Sequence, residues 1–193
     1  MKFFLCRHGQ TNQNIDGIIK GQNENLITDF TEKGKEQIAH LARYIVENKI
    51  EAVFSSDMPR AVQTAEIALK NVQIPIYFSV NFRGLNVGAF QGKNKEEFDG
   101  SYVVKRVFSD YDYAFPNGES INQLIQRFLK ELNCINESYN YKNVAVVTHG
   151  AAISNVKAYL SKESFSKIDY CIIQFVEQKW EVLDAGLYDN LFE

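Results

Sequence analysis

The sequence predicts an α/β fold, a layered sheet with helices on its faces. Short apolar runs alternate with longer helical patterns along the chain, as in sheets built from strand–helix units. Two of those runs, Lys2 to Arg7 and Val144 to Val147, stop abruptly at a His-Gly pair. No internal repeat or low-complexity tract interrupts the alternation.

Each element has a local reason. Lys2 to Arg7 is short, apolar and aromatic, which suits a buried strand, and a polar loop follows to about Asp29. Thr31 stands as the N-cap of a helix whose Ile38, Leu41, Ala42 and Ile45 recur at a helical spacing. Ala52 to Ser55 reads as the second strand, and Pro59 opens the next helix, where a first turn accepts proline. Pro75 to Val80 reads as a third strand, followed by a loop over 81–95 that carries Gly84, Gly88 and Gly92. Short helices are expected over 93–98 and 101–109, a turn over 113–118 and a long amphipathic helix over 120–139. Val144 to Val147 is the most buried-looking strand, a helix follows over 151–160, and two strands close the chain over 171–176 and 179–184.

Composition limits the function classes. The 193 residues suit one domain, 1–193, with enough chain to bury a core unaided. With 21 Lys+Arg against 24 Asp+Glu and no basic block, nucleic acid is not expected as a ligand. No apolar run approaches the roughly 18 residues of a membrane span, and the N-terminus turns polar too early for a signal peptide. Cys6, Cys134 and Cys171 lack paired spacing and are expected as reduced thiols in a cytoplasmic protein. A homodimer is kept as a partner reading, although no periodic apolar seam marks an interface.

The chemistry is expected at the carboxyl ends of the strands, where open α/β sheets bind ligands. His8 and His149 stand there, Arg7 adjoins His8, and Arg60 opens the helix after the second strand. A strand-end histidine alone is ordinarily structural; two of them beside two arginines make an anion pocket. Such a pocket suits phosphoryl transfer through a phosphohistidine, the arginines and second histidine stabilising charge on the transferred group. No metal is required for that arrangement. His40 lies mid-helix, as a surface or interhelical residue, so no third histidine completes a zinc site. The chain has no Walker-type or dinucleotide-binding glycine loop, Cys6 lacks the arginine spacing of a cysteine phosphatase, and Asp110-Tyr111-Asp112 does not follow an apolar strand.

The motifs resemble those of the histidine phosphatase superfamily, the phosphoglycerate-mutase-like clan, in its small phosphatase branch. Arg7-His8-Gly9-Gln10-Thr11 with Asn14 resembles the nucleophile motif, and Ser55 to Ala65 the segment carrying the second phosphate arginine. Asn117-Gly118-Glu119-Ser120 resembles a Gly-Glu-Ser that opens a late helix, and Val147-Thr148-His149-Gly150 the second histidine motif. The four run in family order over residues 7 to 150. The resemblance implies a three-layer sandwich with a mostly parallel central sheet and a small cap from about 93–118. It also implies His8 as phosphorylated nucleophile, with Arg7, Asn14, Arg60, His149 and Gly150 on the phosphoryl group of a small phosphorylated substrate. Gln22 sits in a Gly-Gln pair similar to one lining the family's substrate mouth.

One departure stands out. The family places an acidic glutamate four residues before the first glycine of a Gly-x-x-x-Gly loop, and here that position is Gly84. No Asp or Glu occurs between Glu66 and Glu96, and the residue after the second histidine, an aspartate in the other branch, is Gly150. An absent acid would slow esters of poor leaving groups most. Glu119 is the expected substitute donor, against the plainer reading of a carboxylate favouring a helix N-terminus. Three functions remain open: a phosphomonoester hydrolase, a phosphate-ligand-binding protein without turnover, and a phosphoglycerate mutase, the last suggested by Gly88 to Lys95. Phe98, Tyr102, Tyr111, Tyr113 and Phe115 read as cap packing or as an apolar substrate face. Lys93, Lys95, Lys105 and Arg106 read as a solvated surface.

Overall fold

The structure is a computed structural model describing residues 1–23 and 29–188. Its strands are β1 (Lys2–Arg7), β2 (Ala52–Ser56), β3 (Ile76–Ser79), β4 (Asn143–Thr148), β5 (Tyr170–Val176) and β6 (Lys179–Gly186). Its α-helices are α1 (Asn12–Ile15), α2 (Glu32–Glu47), α3 (Pro59–Ala68), α4 (Lys95–Gly100), α5 (Tyr102–Ser109), α6 (Ile121–Ser138) and α7 (Gly150–Ser161). The strands form one sheet in the order β3-β2-β4-β1-β5-β6. The four from β3 to β1 are parallel, and β5 and β6 add an antiparallel edge.

The alternation of side chains along each strand builds the layers. Phe3 and Leu5 of β1, Phe54 of β2 and Val144 and Val146 of β4 point to one face, where α6 and α7 supply Leu124, Phe128, Ile153 and Val156. Phe4, Cys6, Val53, Ala145 and Val147 point to the other, which Ile38, Leu41 and Ile45 of α2 and Ala61 and Ala65 of α3 cover. Full burial of one large apolar side chain contributes about 1.5–3 kcal/mol. These strands are buried on both faces, so they read as continuous apolar runs rather than as alternating ones. The result is the expected sandwich. Among the described residues no helix is long and apolar enough to cross a membrane.

The polar loop after β1 differs from expectation. It contains the single turn α1, entered at Thr11, whose backbone N–H donates to Asn14 Oδ1 at 3.0 Å. A four-residue helix that buries none of its residues leaves no periodic signal. The loop over 81–95 holds two 3₁₀ turns, Val80–Phe82 and Gly88–Phe90. Phe82 is fully buried and its carbonyl accepts from Thr148 Oγ1 at 2.7 Å, which pins the loop to the end of β4.

Register positions the site. β1 and β4 pair in parallel with Arg7 opposite Thr148, so the next residue of each strand emerges at the same height. Those residues are His8 and His149, and His8 N–H donates to Thr148 O at 2.9 Å. β2 flanks β4 with Ser55 opposite Val147, which brings Ser56 and the start of α3 alongside. On the other side of β1, Arg7 N–H donates to Asp169 O at 2.8 Å just ahead of β5.

Candidate active site

A cavity of about 440 Å³ opens over these strand ends. Arg7, His8, Asn14, Lys20, Arg60, Gly84, His149 and Gly150 line its floor and walls. His8 is 4% exposed, and its tautomer follows from its partners. Arg60 Nε–H donates to His8 Nε2 at 3.2 Å, and a guanidinium can only donate. Nε2 therefore carries a lone pair, and the proton is on Nδ1, 2.9 Å from the Gly9 carbonyl that accepts it. Burial, reinforced by Arg60 and Arg7, holds the His8 pKa well below its ordinary value, so the ring is neutral. A neutral imidazole with its lone pair turned to a cationic pocket is a poised nucleophile.

His149 caps α7, its ring edge-on to His8 with centroids 5.2 Å apart. Its Nε2 lies 3.0 Å from Ser56 Oγ; its Nδ1 is buried and has no hydrogen-bond partner. Burial, then Arg60, holds His149 neutral too. Arg60 is almost fully buried, and its Nη2 donates to Gly21 O at 2.9 Å. Burial lowers its pKa to about 10, which still leaves it cationic near neutrality. Arg7 is held by Asp169, Nη1 to Oδ1 3.1 Å. At Gly150 the first turn of α7 opens onto the cavity, where backbone N–H groups favour an anion.

Two expected residues stand elsewhere. Glu119 does not line the cavity: Oε1 accepts from Asn86 N–H at 2.7 Å and from Arg127 Nη2 at 2.7 Å, and Oε2 accepts from Arg127 Nε at 2.9 Å. Both oxygens of the carboxylate are thus engaged by N–H donors away from the cavity. Gln22 is likewise outside the lining, and its Nε2 donates to Gly84 O at 2.8 Å. Arg127 Nη2 donates to the same carbonyl at 2.9 Å, so both residues brace the loop that carries Gly84. That loop backs onto His149, and a Cβ at Gly84 would lie 3.1 Å from His149 Cγ.

The site also contains groups that sequence reasoning missed. Lys20 is 7% exposed, and its Nζ donates to Thr11 Oγ1, which in turn donates to Asn14 Oδ1 at 3.0 Å. Ser56, Arg127 and Asp169 support His149, the Gly84 loop and Arg7 respectively. Among the described residues no three His, Cys, Asp or Glu side chains converge as metal ligands.

The sequence profile of the histidine phosphatase superfamily (branch 1) matches residues 3–184. The chain belongs to this superfamily. Among its relatives is a Bacillus subtilis protein named as the uncharacterized phosphatase PhoE, 27% identical over 97% of this chain and 95% of that protein. Another is Escherichia coli GpmB, named a probable phosphoglycerate mutase, 27% identical over 99% of this chain and 95% of its own length. Among solved structures, YhfR of Bacillus stearothermophilus superposes with a TM-score of 0.85 at 24% identity, covering 96% of each chain. Membership of the superfamily, with relatives named as phosphatase and mutase, makes the function phosphatase- or mutase-like.

Proposed function

We propose that this member of the superfamily is a phosphomonoester hydrolase that works through a phosphohistidine on His8, without a carboxylic acid at position 84. The neutral His8, with an unprotonated Nε2 that accepts from Arg60 and Nδ1 tied to a backbone carbonyl, carries the reading. Arg7, Arg60, His149 and the first turn of α7 bind the phosphoryl oxygens. His8 Nε2 attacks phosphorus, the ester oxygen leaves, and water then cleaves the N–P bond to release phosphate. The fixed cations stabilise negative charge as it redistributes.

The upper wall supports a substrate with an apolar body. Phe98 from α4, Phe108 from α5, Phe165, Leu85 and Ile168 surround the mouth, so residues of the 93–118 segment act as its cap. Phe115 instead packs inside the cap against Phe90 and Phe98, and Tyr102 is 75% exposed to solvent.

The test measures phosphate release from an aryl and an alkyl phosphate, with His8→Ala as control. Aryl turnover that vanishes in His8→Ala is the expected result, and turnover that survives the substitution would sink the mechanism. Phosphate binding with no turnover of either ester would make the chain a binding protein. Transfer to a second hydroxyl in preference to water would make it a mutase.

A further inference from the structure

Gly84 leaves the departing oxygen without a carboxylic acid, yet the cavity wall holds one buried ammonium. Of the two lysines that line it among the described residues, Lys167 is exposed and Lys20 is buried. The other proton carriers of the wall are committed. Arg7 donates to Asp169 and Arg60 donates to His8 and Gly21. His8 is the nucleophile, and neutral His149 is a far weaker acid than an ammonium. Lys20 has three N–H donors; one is spent on Thr11 Oγ1, which fixes the head group and leaves two for a ligand.

We propose that Lys20 is the general acid of this site, replacing the carboxyl group that Gly84 cannot supply. This assignment rests on the phosphohistidine reading. As the His8 Nε2–P bond forms and the ester P–O bond breaks, one Nζ–H proton passes to the leaving oxygen, giving a neutral alcohol and a neutral Lys20 amine. In the second half, water attacks phosphorus, its proton returns to that amine and the N–P bond breaks. Phosphate is released, and His8 and the ammonium are restored.

The surroundings tune the ammonium for this exchange. Burial is the largest influence on it, followed by the charges of Arg60 and Arg7, and together they lower its pKa to about 8. The titratable and charged groups around the cavity are Arg7 and His8 at the end of β1, Arg60 on α3, His149 ahead of α7, and Lys167 and Asp169 ahead of β5. Lys20 must be protonated to act, so kcat/KM for an alkyl ester falls as pH rises through about 8.

The experiment follows kcat/KM for p-nitrophenyl phosphate and n-butyl phosphate from about pH 6 to 9, below the range in which Arg60 loses its proton, in the wild-type chain, Lys20→Arg, Lys20→Met and His8→Ala. Arginine keeps the charge without titrating in this range; methionine suits the apolar wall should arginine not fit. The expected result is an alkyl-to-aryl ratio lowered about 10²-fold in both lysine variants, with the alkaline limb gone from the alkyl profile of Lys20→Arg. An unchanged ratio, or a limb that persists in Lys20→Arg, overturns the assignment and leaves Lys20 as an anion-binding cation. Aryl turnover that survives His8→Ala overturns the nucleophile instead, because the ratio reads the acid independently. No turnover of either ester by the wild-type chain overturns both.

Discussion

Two neutral histidines buried among cations make the site a source of pH-dependent stability. His8 and His149 have folded pKa values well below 6.5, whereas the unfolded chain protonates them near that value. The unfolded state therefore binds more protons as pH falls below about 6.5, and each histidine removes up to about 1.4 kcal/mol per pH unit until its folded pKa is reached. Urea unfolding at about pH 7.5 and 5.5 should show lower stability at the acid value, with the difference nearly halved in His8→Asn. Equal stability at both pH values would contradict neutral burial. Both histidines were legible in the sequence because each ends an apolar strand before a glycine, and Arg60 because it follows a helix-opening proline. Lys20 was not, since it sits in a polar loop without periodicity and only the fold closes it against Arg60 and Arg7. Glu119 misled for the same reason: its partner Arg127 lies on the polar side of an amphipathic helix, where sequence alone reads a solvated charge.

At the scale of elements, the docking of α2 on the loop after His8 depends on a missing side chain. Gln10 O accepts from Thr31 N–H at 3.0 Å, and Gln10 N–H donates to Gln37 Oε1 at 2.8 Å. A Cβ on Gly34 would lie 2.1 Å from Gln10 O, far inside contact distance. Alanine gains about 1 kcal/mol of helix propensity over glycine, but displacing packed backbone costs typically 1–3 kcal/mol or more. Gly34→Ala should therefore lower both the unfolding midpoint and kcat/KM, because the shifted loop begins at His8. A variant more stable than the parent would refute the close approach. The helix bounds were legible because Thr31 caps α2, Gly34 N–H donating to its Oγ1 at 3.0 Å, and because the apolar face recurs regularly. The contact through Gly34 was not, since only the assembled layers define it.

Across the whole molecule, charge is unevenly placed. The chain has a net charge of −3, yet among the described residues its cavity gathers Arg7, Lys20, Arg60 and Lys167 against one carboxylate, Asp169. Those cations repel one another until an anion joins them, so ligand binding should stabilise the fold. Inorganic phosphate at about 100 times its Kd should add about 2.7 kcal/mol, visible as a raised melting temperature. Arg60→Ala should abolish most of that rise, and a full rise in the variant would place the anion elsewhere. The layered fold itself was legible because every parallel strand is a short apolar run between helical patterns. The order of strands was not, since nothing local states that β4 inserts between β1 and β2.

That insertion has a consequence for synthesis. Among the described residues β1 is the earliest strand in the chain, and it pairs with β4 and β5, the latter starting at Tyr170. A nascent chain must therefore emerge past Thr148 before His8 and His149 can meet, and past Tyr170 before β1 is flanked on both sides. Loop closure over such a span is slow relative to local pairing. β1, apolar on both faces, must wait unpaired until β4 has been made, exposed to mispairing. Premature termination upstream of β4 would yield no fragment with the site assembled, since His8 and His149 come together only through the last-inserted parallel strand.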